Sequence, residues 1–190
     1  MLSKEEVIKI FSDSGALMKG HFKLTSGRHS NYYMQCAQVL QYPHYTEELA
    51  RDIADFFRPH GVELVVGPAM GGIIVSYEVA RQLGVPGIFA ERQDGKMTLR
   101  RNFSIQPGQK VLVVEDVVTT GGSVLEVLEV VKEMKGEIVG VGVLVDRSGG
   151  KVDFGVPLYS VLEMQVESWE AADCPLCKSG AGEAVKPGSR

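Results

Sequence analysis

Long apolar runs are missing from this chain. No stretch approaches the roughly 20 consecutive apolar residues that a membrane-crossing helix needs. The amino terminus, MLSKEEVIKIF, carries acids where a secretory signal would need an apolar run. The protein is therefore expected to stay in the cytoplasm, with no membrane partner. A basic excess is missing too. Lys and Arg number 20 against 24 Asp and Glu, a formal charge of −4, which argues against a sequence-independent nucleic-acid binder. Cysteine is scarce: Cys36, Cys174 and Cys177 are an odd set of three, and in a reducing compartment they build no disulfide framework. Tryptophan occurs once, at Trp169, and no histidine lies between residues 61 and 190. Internal repeats and low-complexity tracts are absent as well.

What is present describes an ordinary folded chain. It has 190 residues, 44% apolar and 23% charged, enough to bury roughly 70% of its unfolded surface as one domain with a small appendage. Residues 3–13 read as a helix opened by a Ser3/Glu6 capping box. HFKLTSGRHSNYYMQ reads as two short strands around Ser26-Gly27-Arg28. Residues 44–58 read as helix. From 62 onward, continuous apolar runs alternate with helical patterns. VELVV (62–66), a short strand within 84–92, KVLVVED (110–116), IVGVGVLVDR (138–147) and PLYSVLEM (157–164) suit strands buried on both faces. Residues 93–105 are polar and basic and read as a loop. The alternation predicts an α/β fold with a mainly parallel sheet flanked by helices. Ligands in such sheets bind beyond the strands' carboxyl ends. Three segments there carry glycine, acids or bases: 67–72, 91–103 and 115–123. The tail from 169 to 190 is rich in small residues and is expected to be loosely ordered.

The most informative segment is VLVVEDVVTTGGS. An apolar strand delivers Glu115 and Asp116 to its end. Val117 and Val118 follow, then Thr119, Thr120, Gly121, Gly122 and Ser123 open a helix. Small residues at a helix start let backbone N–H groups approach an anion, and the hydroxyls add donors. Two acids would repel a phosphate but suit ribose hydroxyls, which need acceptors. Together they describe a phosphorylated sugar. No Gly-Lys-Ser/Thr follows, so this is not a Walker loop, and it is not the G-x-G-x-x-G fingerprint.

That segment resembles the ribose-phosphate motif of type I phosphoribosyltransferases: four apolar residues, two acids, two further residues, then Thr-x-Gly-x-Thr/Ser. The resemblance implies that Glu115 and Asp116 hold the ribose 2′- and 3′-hydroxyls of 5-phosphoribosyl 1-diphosphate. Residues 119–123 would wrap its 5′-phosphate. Over nearly its full length the chain is similar to the orotate-using members of that family. FKLTSGRHSNYY (22–33) matches their N-terminal segment, VGPAMGG (66–72) their diphosphate loop, ERQDGKMTLRRNF (91–103) their mobile catalytic loop, and LVDR (144–147) the place of an orotate-binding arginine. The implied organisation is an N-terminal helix and base-binding hood (1–45), a core (46–168) and a tail (169–190), as a single domain. The implied reaction joins orotate to ribose 5-phosphate, giving orotidine 5′-monophosphate and diphosphate in pyrimidine nucleotide biosynthesis. Arg92 and Lys96 are the expected catalytic cations, both also binding the phosphoribosyl diphosphate. Thr119 and Arg147 are the expected orotate contacts, with Lys23 a further candidate. Mg²⁺, carried mainly by substrate oxygens, is the expected cofactor. A homodimer is also implied, in which loop 91–103 closes over the neighbouring site. No fused decarboxylase barrel is expected.

The chemistry is consistent with these roles. Arg92, Lys96, Arg100 and Arg101 put four positive charges near a leaving group that carries several negative ones. A planar guanidinium at Arg147 matches a carboxylate, although a surface ion pair with Asp146 would also explain it. Departures exist: Thr25 stands where lysine is common, Met70-Gly71 where Tyr-Lys is common, and loop 91–103 has no histidine. Tyr32 and Tyr33 point to opposite faces of a strand, so one at most lines a base pocket. Cys174-x-x-Cys177 reads as two free thiols, with a zinc site shared between chains and a disulfide as alternatives, because the histidines show no metal spacing. A purine-specific phosphoribosyltransferase and a non-catalytic sensor of the phosphoribosyl compound are the rival functions.

Overall fold

The computed structural model describes residues 1–24 and 26–187. Helix α1 spans Lys4–Asp13, and the Ser3/Glu6 capping box is formed. Strands β1 (Leu17–Lys23) and β2 (His29–Met34) make an antiparallel hairpin; Thr25, in its turn, lies outside the described residues. A short α2 (Ala37–Leu40) and the amphipathic α3 (Pro43–Phe57) follow. The core then runs β3 (Leu64–Pro68), α4 (Gly71–Leu83), β4 (Gly87–Gln93), β5 (Lys96–Leu99), β6 (Lys110–Val118), α5 (Gly122–Glu133), β7 (Glu137–Asp146) and β8 (Leu158–Glu163). A four-residue helical turn, α6 (Pro175–Lys178), lies in the tail.

The six-stranded sheet has the order β5-β4-β3-β6-β7-β8. Every neighbouring pair is parallel except β4 and β5. Its central strands carry continuous apolar runs because both faces are covered. Val65, Leu112 and Val114 pack with α1, α3 and α4, through Phe11, Leu49, Ile53, Phe57, Val75 and Val79. Their neighbours Leu64, Val66, Val111 and Val113 pack with Val124, Val127, Leu128 and Val131 of α5. The two-residue period of a strand thus divides one apolar run between two cores. After β3 the chain crosses to β4 on one side; after β6 it crosses to β7 on the other. The crevice between the carboxyl ends of β3 and β6 is therefore a topological switch point, where α/β sheets bind ligands.

Two expectations are corrected. Residues 93–105 are not all loop: Lys96–Leu99 pairs antiparallel with β4 as an edge strand. Its turn is Asp94-Gly95, at φ 52° and 82°, the positive pair that a two-residue hairpin requires. The expected loose tail is instead laid along the β1–β2 hairpin. Trp169 exchanges two backbone hydrogen bonds with His29 at 2.8 Å each, and Val185 bridges His21 and Lys23 at 2.9 and 2.8 Å. Arg28 adds an ion pair to Glu170 and an Nε hydrogen bond to Ser168 Oγ. Pairing across the hairpin and docking of the tail also bring His21, His29, Cys174 and Cys177 into one cluster. Their separation in sequence had argued against a shared metal. No helix among the described residues is long and apolar enough to cross a membrane.

Candidate active site

Strand β6 carries its apolar run into the switch-point crevice and places Glu115 and Asp116 just before its closing Val117-Val118. Glu115 is 8% exposed. Burial, with the charge of Asp116 beside it, pushes its carboxyl up to about 9, so it is protonated at neutral pH in the free chain. Its Oε1 accepts from the Asp116 amide at 3.0 Å, and Asp116 Oδ1 accepts from Val117 N–H at 2.8 Å. The Asp116 carboxylate lies against the start of α4. A Cβ at Gly71 would come within 2.3 Å of it, so only glycine lets the 67–72 loop close onto this acid. The Ala69–Met70 peptide in that loop is cis.

Beyond β6 the chain turns through Gly121 at φ 78°, the N-cap of α5. A Cβ there would meet Phe154 and Val152 at 2.9 Å, so both backbone angle and space call for glycine. No side chain caps this helix, and its first-turn amides have no intrahelical acceptor. They open onto a cavity of ≈ 240 Å³ lined by Arg92, Glu115, Val117, Val118 and residues 119–124. The segment expected to form an anion nest thus lines a concavity at a helix start, with an acid on its wall.

One strand over, β7 places Asp146 beside Val118, and the Arg147 amide donates to Val118 O at 2.8 Å. Asp146 does not pair with Arg147. Its Oδ1 accepts from Ser148 N–H at 2.7 Å and holds the turn. Arg147 Nε is buried with no hydrogen-bond partner among the described residues, as is Ser148 Oγ beside it. Cys36, 4% exposed, lies beneath this floor with its Sγ 3.9 Å from Asp116 O. Burial first, then the Asp116 charge, pushes its thiol well above the usual range, so it serves as packing and not as a nucleophile.

The remaining cations are distributed less simply. Arg92 reaches the nest and forks onto Glu126 of α5, with Nε at 3.1 Å and Nη2 at 2.7 Å. Lys96 does not reach it; with Met97 it sits over Glu126, Glu129 and Glu133 on the outer side of α5. Arg100 and Arg101 lie 3.7 and 3.3 Å from Glu91, and Arg101 covers the Phe89 ring. Lys23 is exposed on β1, beside the histidine–cysteine cluster and outside the nest cavity. Sequence reasoning missed Gly71 as the partner of Asp116 and Glu126 as that of Arg92. Neither pairing leaves a local signal, since 45 and 34 residues of chain separate the partners.

Comparison with known proteins agrees with this geometry. The phosphoribosyl transferase domain model matches residues 44–175. The orotate phosphoribosyltransferase of Desulforamulus reducens is 61% identical over 189 residues, covering 100% of this chain and 98% of that protein. The enzyme of the same name from Pelotomaculum thermopropionicum is 60% identical, covering 100% and 99%. Among solved structures, orotate phosphoribosyltransferase from Mycobacterium tuberculosis in complex with inorganic phosphate superposes with a TM-score of 0.70 at 26% identity, covering 84% of this chain and 95% of that one. With domain, full-length relatives and fold in agreement, this chain belongs to the orotate phosphoribosyltransferase family.

Proposed function

We propose that the chain transfers ribose 5-phosphate from 5-phosphoribosyl 1-diphosphate to orotate, giving orotidine 5′-monophosphate and diphosphate for pyrimidine nucleotide synthesis. The observation that carries the reading is a juxtaposition. A concavity at the start of α5 lies one strand away from a half-buried arginine whose buried Nε–H has no partner among the described residues. The nest suits the 5′-phosphate; the arginine suits a flat carboxylated base, and its unpartnered donor favours a ligand that brings an acceptor.

In this reading residues 119–123 bind the 5′-phosphate through backbone amides and hydroxyls. Glu115 and Asp116, with the β6 backbone at Val117 and Val118, hold the ribose. Protonated Glu115 both donates to and accepts from a hydroxyl, and Asp116 accepts. Arg147 orients orotate by its carboxylate, with Thr119 beside it and Lys23 a lesser candidate. The bond from the anomeric carbon to the diphosphate oxygen breaks as the bond to the orotate ring nitrogen forms, and the proton on that nitrogen leaves to the departing diphosphate or to solvent. Positive charge on the sugar develops between two anionic groups already in place, so positioning and charge stabilisation carry the catalysis.

The donor set fits Mg²⁺ that arrives with substrate. Two carboxyls stand at the site, one of them neutral, too few for an all-protein cage. They are enough for an ion that takes most of its ligands from phosphate and water. When bound, Mg²⁺ neutralises charge on the leaving diphosphate. Asp116 is the residue that would face it. Arg92 lies at the nest of its own chain, whereas Lys96 lies outside it, over Glu126, Glu129 and Glu133. That placement supports a homodimer in which hairpin 91–103 closes over the partner's site, brings Lys96 to the diphosphate and excludes water. The expected compartment is the cytoplasm.

The test of the base assignment is Arg147→Ala. Loss of a charge-assisted carboxylate contact costs about 1.5–3 kcal/mol, so the orotate KM should rise roughly ten- to a hundredfold. The KM for the phosphoribosyl compound should stay within about twofold. An unchanged orotate KM would remove Arg147 from the site.

A further inference from the structure

From the side-chain cluster at the hairpin, we propose that the chain binds one structural Zn²⁺ through His21, His29, Cys174 and Cys177. Their four ligating atoms lie within 4.8 Å of one another. The β1–β2 register places Lys23 opposite His29, so His21, two residues back, is its diagonal neighbour on the same face. Cys174 precedes the single turn of α6 and Cys177 lies within it, the C-x-x-C arrangement that turns two sulfurs towards one point. The site is completed within one chain and needs no second copy.

The three nitrogen–sulfur distances fall within the edges of a zinc tetrahedron, the remaining pairs lie within 4.8 Å, and the protonation suits the ion. Zinc bonds of about 2.3 Å to sulfur and 2.0–2.1 Å to nitrogen give a tetrahedron with edges of about 3.3–3.8 Å. His21 Nε2 lies 3.5 Å from Cys174 Sγ and 3.6 Å from Cys177 Sγ. His29 Nδ1 lies 3.3 Å from Cys177 Sγ and 3.0 Å from His21 Nε2. His21 Nδ1 sits 2.8 Å from Gly182 O, and a proton held there leaves Nε2 as the lone-pair nitrogen aimed into the cluster. Metal-bound histidines show this outer hydrogen bond as a rule. Cys174 is fully buried and both histidines are 8% exposed. Cys177 is the exposed member of the set; binding releases the two thiol protons to solvent, and two thiolates then balance the 2+ ion, so the half-buried site is neutral. A tetrahedral set of two sulfurs and two imidazoles selects zinc among common divalent ions.

The position explains why such a site would be kept. A two-stranded hairpin is marginal alone, and the tail meets this one through isolated bridges at Trp169 and Val185. One ion would tie both strands to the tail and hold the hairpin as a rigid unit. The inference is independent of the reaction: zinc content and base specificity can fail separately.

The experiment is elemental analysis of full-length protein purified without metal-affinity steps or chelator. About one zinc per chain is expected in the wild type and in Arg147→Ala. The Cys174→Ser/Cys177→Ser variant should hold roughly tenfold less or lower. Because that variant could fold poorly, an organomercurial is titrated into the native wild type, which should release zinc as the two cysteines are modified. Co²⁺ in place of zinc should show tetrahedral visible bands and a thiolate charge-transfer band. Wild-type protein without zinc, a Cys174–Cys177 disulfide by mass, or zinc retained in the double variant would each overturn the proposal.

Discussion

At the scale of single residues the site depends on two groups in unusual states. Glu115 is buried, with its carboxyl pushed up to about 9 by burial and the neighbouring Asp116, and half-buried Arg147 has a buried Nε–H with no partner among the described residues. The first has a consequence for stability. An unfolded glutamate ionises near 4.5, whereas the folded one ionises near 9. Between those values the folded chain keeps a proton that the unfolded chain releases, so stability contributed by Glu115 is full below pH 4.5 and is lost as pH rises towards 9. In denaturant titrations of the free protein at pH 6 and pH 9, the wild type should lose more stability than Glu115→Gln. Equal losses would mean that Glu115 is ionised in the fold. Arg147→Lys keeps the charge but loses the planar fork, so the orotate KM should fall between those of the wild type and Arg147→Ala. A lysine variant equal to wild type would show that charge alone suffices.

At the scale of elements, the β6–turn–α5 unit makes the nest and Gly121 sets its shape. Gly121→Val meets a positive φ and two side chains at 2.9 Å. It should weaken binding of the phosphoribosyl compound at least about tenfold and destabilise the fold by about 1–3 kcal/mol. Substrate titration and thermal melts read these separately, and a variant with wild-type affinity would place the phosphate elsewhere. This unit was legible in the sequence. A strand buried on both faces leaves a continuous apolar run, and a nest leaves Thr, Gly and Ser at a helix start. Strand β5 was not, because KMTL is an edge strand with no fully buried residue, and its positive-φ Asp-Gly turn was the signal passed over. The Asp116–Gly71 contact and the His/Cys cluster were hidden for another reason. They join residues far apart in the chain, and no local pattern records such a meeting.

At the scale of the whole molecule, strand order does what no single element can. Crossovers leaving β3 and β6 in opposite directions open the crevice that holds Asp116 against Gly71, with Glu115 and the nest beside it. The same architecture leaves Lys96 on the outer side of α5, and the proposed dimer would carry it to a second copy's site. Mixing Lys96→Ala with Arg147→Ala tests this. In a mixed dimer one site would receive both intact residues and the other neither, so activity should recover to roughly a quarter of wild type at equal mixing. No recovery, with subunit exchange verified, would place both residues in one chain's site.

The central claim is that this fold joins orotate, and not another base, to the phosphoribosyl group. Its most direct test mixes purified protein, Mg²⁺ and 5-phosphoribosyl 1-diphosphate separately with orotate, uracil, adenine, hypoxanthine and guanine, and follows diphosphate release. The account expects release with orotate alone. Release with a purine, or with uracil as readily as with orotate, would contradict the role given to Arg147, and no release with any base despite tight binding of the phosphoribosyl compound would contradict the reaction itself.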